Sequence, residues 1–387
     1  MGVVIDYTSG FFEAAPTGET VGSISGNATL DLTSGNVFSH TPTANTTFAF
    51  SSPPASGTGY DFTLKVTGAS VVDGYDLANA SYDSKNFSVS SQENNPRAVA
   101  FKSDGTKMYM CGAGSNQVHQ YSLSTAWDVS TASYDSVSLN SALQSNGPNG
   151  LSFKSDGTIL FTANTTEDRV YQYNLSTAWD LSTASYASKN FSVSSQDDLP
   201  QGIFVKPDGT AAYIAGGFNG TVYQYALSTA WDASSGSYAN KSFSIVSQDN
   251  NVQDLYFNDA GTKMFVVGGQ NDKVYQYSLS TAWDVSTASY DSVDFSFTSQ
   301  ITAGNPMGLT FKSDGAKMYT CDYNSATVYQ YSTGSSALAT ITYPSSVKWA
   351  GGTAPTAPAN GETDVYSFFT TDGGTNYYGF QAGDALA

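Results

Sequence analysis

Short apolar runs recur along the middle of the chain in one fixed order. PRAVAF, NGLSF, QGIFV, QDLYF and MGLTF are each followed by a turn (KSDGT, KSDGT, KPDGT, NDAGT, KSDGA), a second apolar run, a loop, and then VHQY or VYQY. Phe101, Phe153, Val205 and Phe257 are 52 residues apart, and Phe311 follows after 54. Trp127, Trp179, Trp231 and Trp283, each within TAWD, keep the 52-residue step, and Tyr75 takes the same place one unit earlier. Several short strands per unit at a fixed period predict a propeller or solenoid. The Asp-Gly between the first two strands is a strong hairpin signal, because these residues tolerate positive φ.

Within the first unit the strands read A (PRAVAF), B (KMYMCG), C (QVHQYSL) and D (SVSLNS, outermost). Ala98, Gly150, Gly202 and Gly308 near the start of A fit inner strands crowding a narrow axis, with Asp254 the exception. The region opens with a lone D-type strand, KNFSVSS at 85–91, and ends after the fifth C strand near Tyr331. Pairing 85–91 with 327–331 closes the ring and leaves no bare edge. The expectation is all-β, a five-bladed β-propeller of 52-residue repeats over 71–336. TAWD is not a WD40 signature, since the period exceeds ~40–45 and no Gly-His partner precedes it. Its Trp is expected to pack over the blade while Ser, Thr and Asp close the C–D loop on the backbone.

The flanks, 22–70 and 337–387, carry strand-like alternation in FTLKV and ATITY, and neither looks self-sufficient. They predict one discontinuous β-sandwich with the propeller inserted, preceded by an attachment segment at 1–21. PPASG, FTLKV and VKWAGGTAP give this pair a resemblance to a β-domain common in tail-fibre and related structural proteins of marine bacteriophages. The resemblance covers about a quarter of the chain. In that family a short turn usually joins the two stretches, so the propeller is the departure. The resemblance implies a virion protein on the phage tail or capsid surface, with other virion proteins as partners and a homo-oligomer, a trimer favoured. The propeller units resemble a functionally mixed class that includes lactonase-like enzymes and binding proteins.

Lys plus Arg is 15 against 33 Asp plus Glu, a net charge of −18, which excludes a phosphate-neutralising surface and hence nucleic acid as partner. No run approaches the ~18 apolar residues of a membrane-spanning helix, so no membrane insertion is expected. The start, MGVVIDYTSG, lacks the basic and apolar regions of a signal peptide. Two cysteines cannot build a disulfide framework or a four-thiolate zinc site. Cys111 and Cys321 take equivalent B-strand positions in neighbouring blades and read as small buried thiols, with a disulfide as the alternative. The two histidines, His40 and His119, make no catalytic set, and His119 replaces a strand Tyr. Paired axial carboxylates of a glycosidase are missing, because Asp254 is the one acid on the inner strands. No GxSxG, P-loop or HExxH occurs, and TTDGGTNYY at 370–378 reads as a structural hairpin. The chain therefore reads as non-enzymatic, with no catalytic residues, metal or cofactor.

Comparing the units separates two kinds of loop. The A–B turns and C–D loops are nearly copied, whereas the D–A and B–C loops differ. In a four-stranded blade the copied loops leave one face and the individual loops the other. The chain enters near Gly74 and leaves near Gly334 at C–D positions, on the copied face. The individual face gathers Asn94, Asn95, Arg97, Asn146, Asn149, Asp198, Gln201, Asn250 and Gln253 beside the rings of Phe218 and Tyr323. Planar polar groups next to aromatic rings suit sugar hydroxyls and ring faces, or a protein loop. These residues are the candidate ligand site of a tail fibre or adhesin that recognises a host cell-surface glycan or receptor. The alternative is a capsid or tail decoration, or head fibre, in which the propeller is a spacer or docking platform.

Overall fold

The computed structural model describes residues 3–5, 12–14, 19–21, 27–42, 45–141, 147–301 and 304–386, with the backbone alone at 3–5, 12–14, 19–21, 27, 70–73 and 335–337. The chain divides into two compact units, Gly74–Ser335 and the combined Met1–Asp73 and Ser336–Ala387.

Gly74–Ser335 is a five-bladed propeller. Strands A to D of blade 1 are Pro96–Phe101, Lys107–Gly112, Gln117–Leu123 and Ala132–Asn140. Blade 2 uses Pro148–Phe153, Ile159–Asn164, Arg169–Leu175 and Ala184–Ser192, and blade 3 uses Pro200–Val205, Ala211–Gly216, Thr221–Leu227 and Gly236–Ser244. Blade 4 uses Val252–Phe257, Lys263–Gly268, Lys273–Leu279 and Ala288–Ser296. Blade 5 takes Pro306–Phe311, Lys317–Asp322 and Thr327–Ser332 from the end of the ring, and its outer strand, Ser81–Ser88, from the beginning. The closing register runs from Thr327↔Ser88 to Ser332↔Ser81. The closing strand starts and stops earlier than 85–91, because residues 89–92 turn into the first inner strand. Inner strands approach so closely that a β-carbon on Gly308 would stand 2.6 Å from Ala98 Cα. Backbone cannot yield there, which explains the small residues near the start of strand A.

The TAWD motif is a two-sided fastener. Tyr75, Trp127, Trp179, Trp231 and Trp283 all have φ between 61° and 65°, a left-handed conformation that costs a bulky residue about 1–3 kcal/mol. Within the blade the indole lies flat on the glycine of the A–B turn: a β-carbon on Gly157 would be 2.3 Å from Trp179 Nε1. Trp179 N–H also donates to the Gly157 carbonyl at 3.0 Å. The aspartate then caps the next turn, with Ser182 N–H and Oγ donating to Asp180 Oδ1 at 3.0 and 2.6 Å. Between blades, Tyr109 and Tyr319 hydroxyls donate to the carbonyls of Trp179 and Trp127 at 2.6 and 2.7 Å. Gln120, Gln172, Gln224 and Gln330 accept backbone N–H groups of the following blade at 2.9–3.2 Å. Lys85, Lys189 and Lys241 on outer strands pair with Asp128, Asp232 and Asp284 of the next blade. Ring closure thus repeats the contacts used between internal blades.

In the other unit a six-stranded sheet has the order Glu19–Val21, Val37–His40, Tyr60–Thr67, Thr363–Thr370, Tyr377–Leu386, Val347–Trp349. A three-stranded sheet joins Ile341–Thr342, Thr46–Ser51 and Asn27–Asp31. Strands from the two flanks are neighbours at the centre, with Tyr60–Thr67 paired antiparallel to Thr363–Thr370 over eight residues. The alternation read in FTLKV is the burial alternation of that strand. Leu30, Phe38, Phe48, Phe62, Leu64 and Phe368 from both sheets share one core, with Phe62 and Phe368 stacked at 4.9 Å. Asp372 accepts the Asn376 backbone N–H at 2.9 Å and its side-chain amide at 2.8 Å, so TTDGGTNYY is a hairpin held by its own aspartate. The attachment role of 1–21 falls largely outside the described residues, which there comprise the backbones of three short strands.

Candidate functional site

Strand A begins at the individual face, so its second residue in each blade stands at the mouth of the axial lumen. These residues are Arg97, Asn149, Gln201, Gln253 and Met307. Asn149 Nδ2 donates to Gln201 Oε1 at 2.9 Å, and Arg97 Nη1 reaches the same oxygen from two blades away at 3.5 Å. Groups on blades 1 and 3 meet in this way only across the lumen. The Arg97 guanidinium lies 4.7 Å over the half-buried Tyr323 ring. Gln253 Nε2 donates to Asn251 Oδ1 at 3.0 Å.

The eleven candidate residues therefore separate. Arg97, Asn149, Gln201, Gln253 and Tyr323 form the mouth, and three of them are buried (Asn149, Gln201 and Gln253, 4–6% exposed). Asn149, Gln201 and Gln253 start the inner strands, and the hydrogen bonds of Arg97 and Asn149 to Gln201 turn this part of the candidate set toward the lumen. Asn94, Asp198 and Asn250 are exposed on the D–A loops, Asn95 is half-buried, and Phe218 projects from its B–C loop with 71% of its surface exposed. Asn146 lies outside the described residues.

Beside each exposed loop residue sits a buried acid that the sequence reading passed over. Glu93, Asp197 and Asp249 are 1–3% exposed. Glu93 Oε1 accepts N–H groups of Asn95 and Gly114 at 2.7 and 2.9 Å, and Oε2 accepts Ser115 N–H and Oγ at 2.9 and 2.7 Å. Asp249 accepts N–H groups of Asn251, Gln270 and Asn271 in the same manner. Each acid ties its D–A loop to its B–C loop, and burial pushes the Asp197 carboxyl upward. The signal was present as Ser-Gln-acid at 91–93, 195–197 and 247–249, copied inside loops read as individual. The copied glutamines accept strand-C tyrosine hydroxyls, as Gln196 does from Tyr225 at 3.0 Å. His119 also serves this scaffold, with Nε2 2.9 Å from Ser115 Oγ and its pKa lowered by burial.

A cavity of about 200 Å³ occupies the axis toward the copied face, lined by Ser152, Phe204, Tyr256 and Thr310, with Asp254 among its walls. Asp254 accepts N–H groups of Leu255 and Leu309, both at 2.8 Å, and burial pushes its carboxyl up to about 8. The folded state therefore holds a proton that the unfolded chain releases near pH 4. Stability from this group is full below that value and declines as pH rises toward 8. Thermal unfolding of wild type between pH 5 and 8 should show this decline. Asp254→Ala should remove that component, and parallel pH profiles for the two proteins would contradict it. Cys111 and Cys321 are free and fully buried, and burial pushes the Cys321 thiol up to about 12. Among the described residues, no three His, Cys, Asp or Glu side chains converge as a metal site.

No protein-family model matches the sequence, and no curated protein matches it. Among solved structures, the chain is similar to a candidate 6-phosphogluconolactonase from Bacteroides uniformis, with 13% identity over 63% of this chain and 70% of that one, and a TM-score of 0.38. It is also similar to the β-propeller domain of Cps50 (Swd1) from Myceliophteria thermophila, with 10% identity over 65% of this chain and 99% of that one, and a TM-score of 0.39.

Proposed function

We propose that the protein is a non-enzymatic phage virion component, a tail fibre or adhesin whose propeller presents a host-recognition face. The observation that carries this reading is the contrast between faces of one ring. The copied face is accounted for by fastening, since every TAWD and Asp-Gly turn has a partner. Beyond the acids that tie them down, the loops of the other face differ from blade to blade and expose Asn94, Asp198, Phe218 and Asn250. Loops that vary over a constant scaffold are free to serve a partner. In this reading the flanks form one discontinuous β-sandwich used for assembly in a homo-oligomer. Tyr378 and Phe380, on one face of the strand Tyr377–Leu386 and 54% and 50% exposed, support a protein contact there. Oligomerisation would raise the avidity of individually weak faces by effective concentration.

The test combines Asn94→Ala, Phe218→Ala and Asn250→Ala and measures adsorption of labelled protein to cells that wild type binds. Adsorption should be lost while the melting temperature shifts by no more than ~6 °C, because exposed substitutions usually cost under ~0.5 kcal/mol each. Retained adsorption would favour the decoration or spacer reading, which the copied Ser-Gln-acid segments on this face also suit.

A further inference from the structure

The mouth of the axial lumen holds several unsatisfied polar groups. Arg97 Nε, Gln253 Oε1 and Asn305 Oδ1 are buried and make no hydrogen bond within the protein. Among the described residues no carboxylate lies within ion-pairing distance of Arg97, although acids outnumber bases 33 to 15. Its neighbours are neutral and flat, the Tyr323 ring at 4.7 Å and the Gln201 amide oxygen at 3.5 Å. Gln253 and Asn305 stand side by side against Gly269, where a β-carbon would be 2.6 Å from Gln253 Nε2 and 3.0 Å from Asn305 Oδ1. The Tyr323 N–H donates to the Asn305 carbonyl at 3.1 Å, which joins this pair to the arginine platform.

Each group has a chemical requirement. A guanidinium with its face stacked on a ring presents its edge donors as a fork, which matches the two oxygens of a carboxylate. An amide oxygen can only accept, so Gln253 Oε1 and Asn305 Oδ1 call for O–H or N–H donors from outside the protein, supplied by water or by a ligand's hydroxyls. Leaving such groups unpaired away from water is costly, and a ligand that completes them recovers that cost. We propose that the mouth is a subsite for an acidic sugar: Arg97 holds the carboxylate, and Gln253 and Asn305 accept the neighbouring hydroxyls. The proposal rests on the recognition reading above and narrows it to carboxylate-bearing glycans. The net charge of −18 does not oppose this near physiological salt, where charges beyond ~8 Å are largely screened.

Calorimetric titration of the full chain with a trigalacturonide, its methyl ester and a sulfated neutral trisaccharide tests the subsite. The free acid should bind about tenfold more tightly than the ester, a gap that one charge-assisted fork readily supplies. Arg97→Gln should bring the acid to the level of the ester. Arg97→Lys, which keeps the charge but not the fork, should retain only part of the gap. Equal binding of acid and ester by wild type, a preference that survives Arg97→Gln, or no binding of any of the three sugars would overturn the subsite. Tighter binding of the sulfated sugar than of the uronide would overturn the carboxylate assignment. The recognition reading fails by a different result, adsorption that persists after the loop substitutions, so the two failures are distinguishable.

Discussion

Deleting residues 80–92 is expected to convert the protein from a soluble species to an aggregating one. The segment contains the outer strand of blade 5, and its loss strips the ladder partner from Thr327–Ser332, leaving an open edge in a sheet built to be closed. It also removes Asp83, which accepts from Lys317 Nζ at 2.7 Å and Gln330 Nε2 at 2.8 Å, and Lys85, which holds Asp128 of blade 1. Val89, fully buried, goes with it. Size-exclusion chromatography and thermal unfolding would report the change. A monodisperse product with an unchanged transition would refute the importance of closure. Restoring residues 74–92 after Ser335 in the same deletion should recover solubility, because in every other blade the outer strand follows strand C directly.

Trp179→Ala is expected to cost about 3–5 kcal/mol, the usual range for truncating a large buried aromatic. At ~2–4 °C per kcal/mol for a domain of this size, the melting temperature should fall by roughly 6–20 °C. Trp179 is 9% exposed, lies flat on Gly157 and packs 5.2 Å from the Phe153 ring. The alanine keeps the left-handed backbone but loses the cover that offsets its strain. Trp127→Ala, at a half-buried member of the same series, should cost less. A fall below ~2 °C for Trp179→Ala would show that the motif is not a fastener.

Most of the propeller was legible because each unit repeats the same physical solution. Asp-Gly marks the turn, the 52-residue step of Trp marks the cover, and the order of pieces places the lone D-type strand opposite the last C strand. The mouth was legible only in part. Arg97, Asn149, Gln201 and Gln253 are evidently polar, but only the closed ring brings Arg97 to Gln201, 104 residues away. Polarity alone also cannot say which of two adjacent groups turns inward. Asp197 is buried and Asp198 exposed, as are Glu93 and Asn94, because one backbone step decides which side chain meets the N–H groups of the B–C loop. The pairing of Tyr60–Thr67 with Thr363–Thr370 joins strands about 300 residues apart, for which alternation gives strand character but no partner.

The closing ladder also has a mechanical meaning. Ser81 and Ser332, paired with each other, lie at the end of that ladder nearest the two crossings of the chain into the ring. Beyond them, Ser70–Asp73 and Ser335–Leu338 pair as a two-stranded sheet of their own. Tension applied to the chain on either side of the ring meets the eight-residue pairing of Tyr60–Thr67 with Thr363–Thr370 first and this short pair second. While it holds, load passes from one crossing strand to the other and the blades carry none. If it parts, force reaches the closing strands at neighbouring ends and peels their hydrogen bonds one at a time, the weakest direction in which a sheet can be pulled. The short pair therefore stands in the path between a pull on the flanks and the closing ladder of the ring.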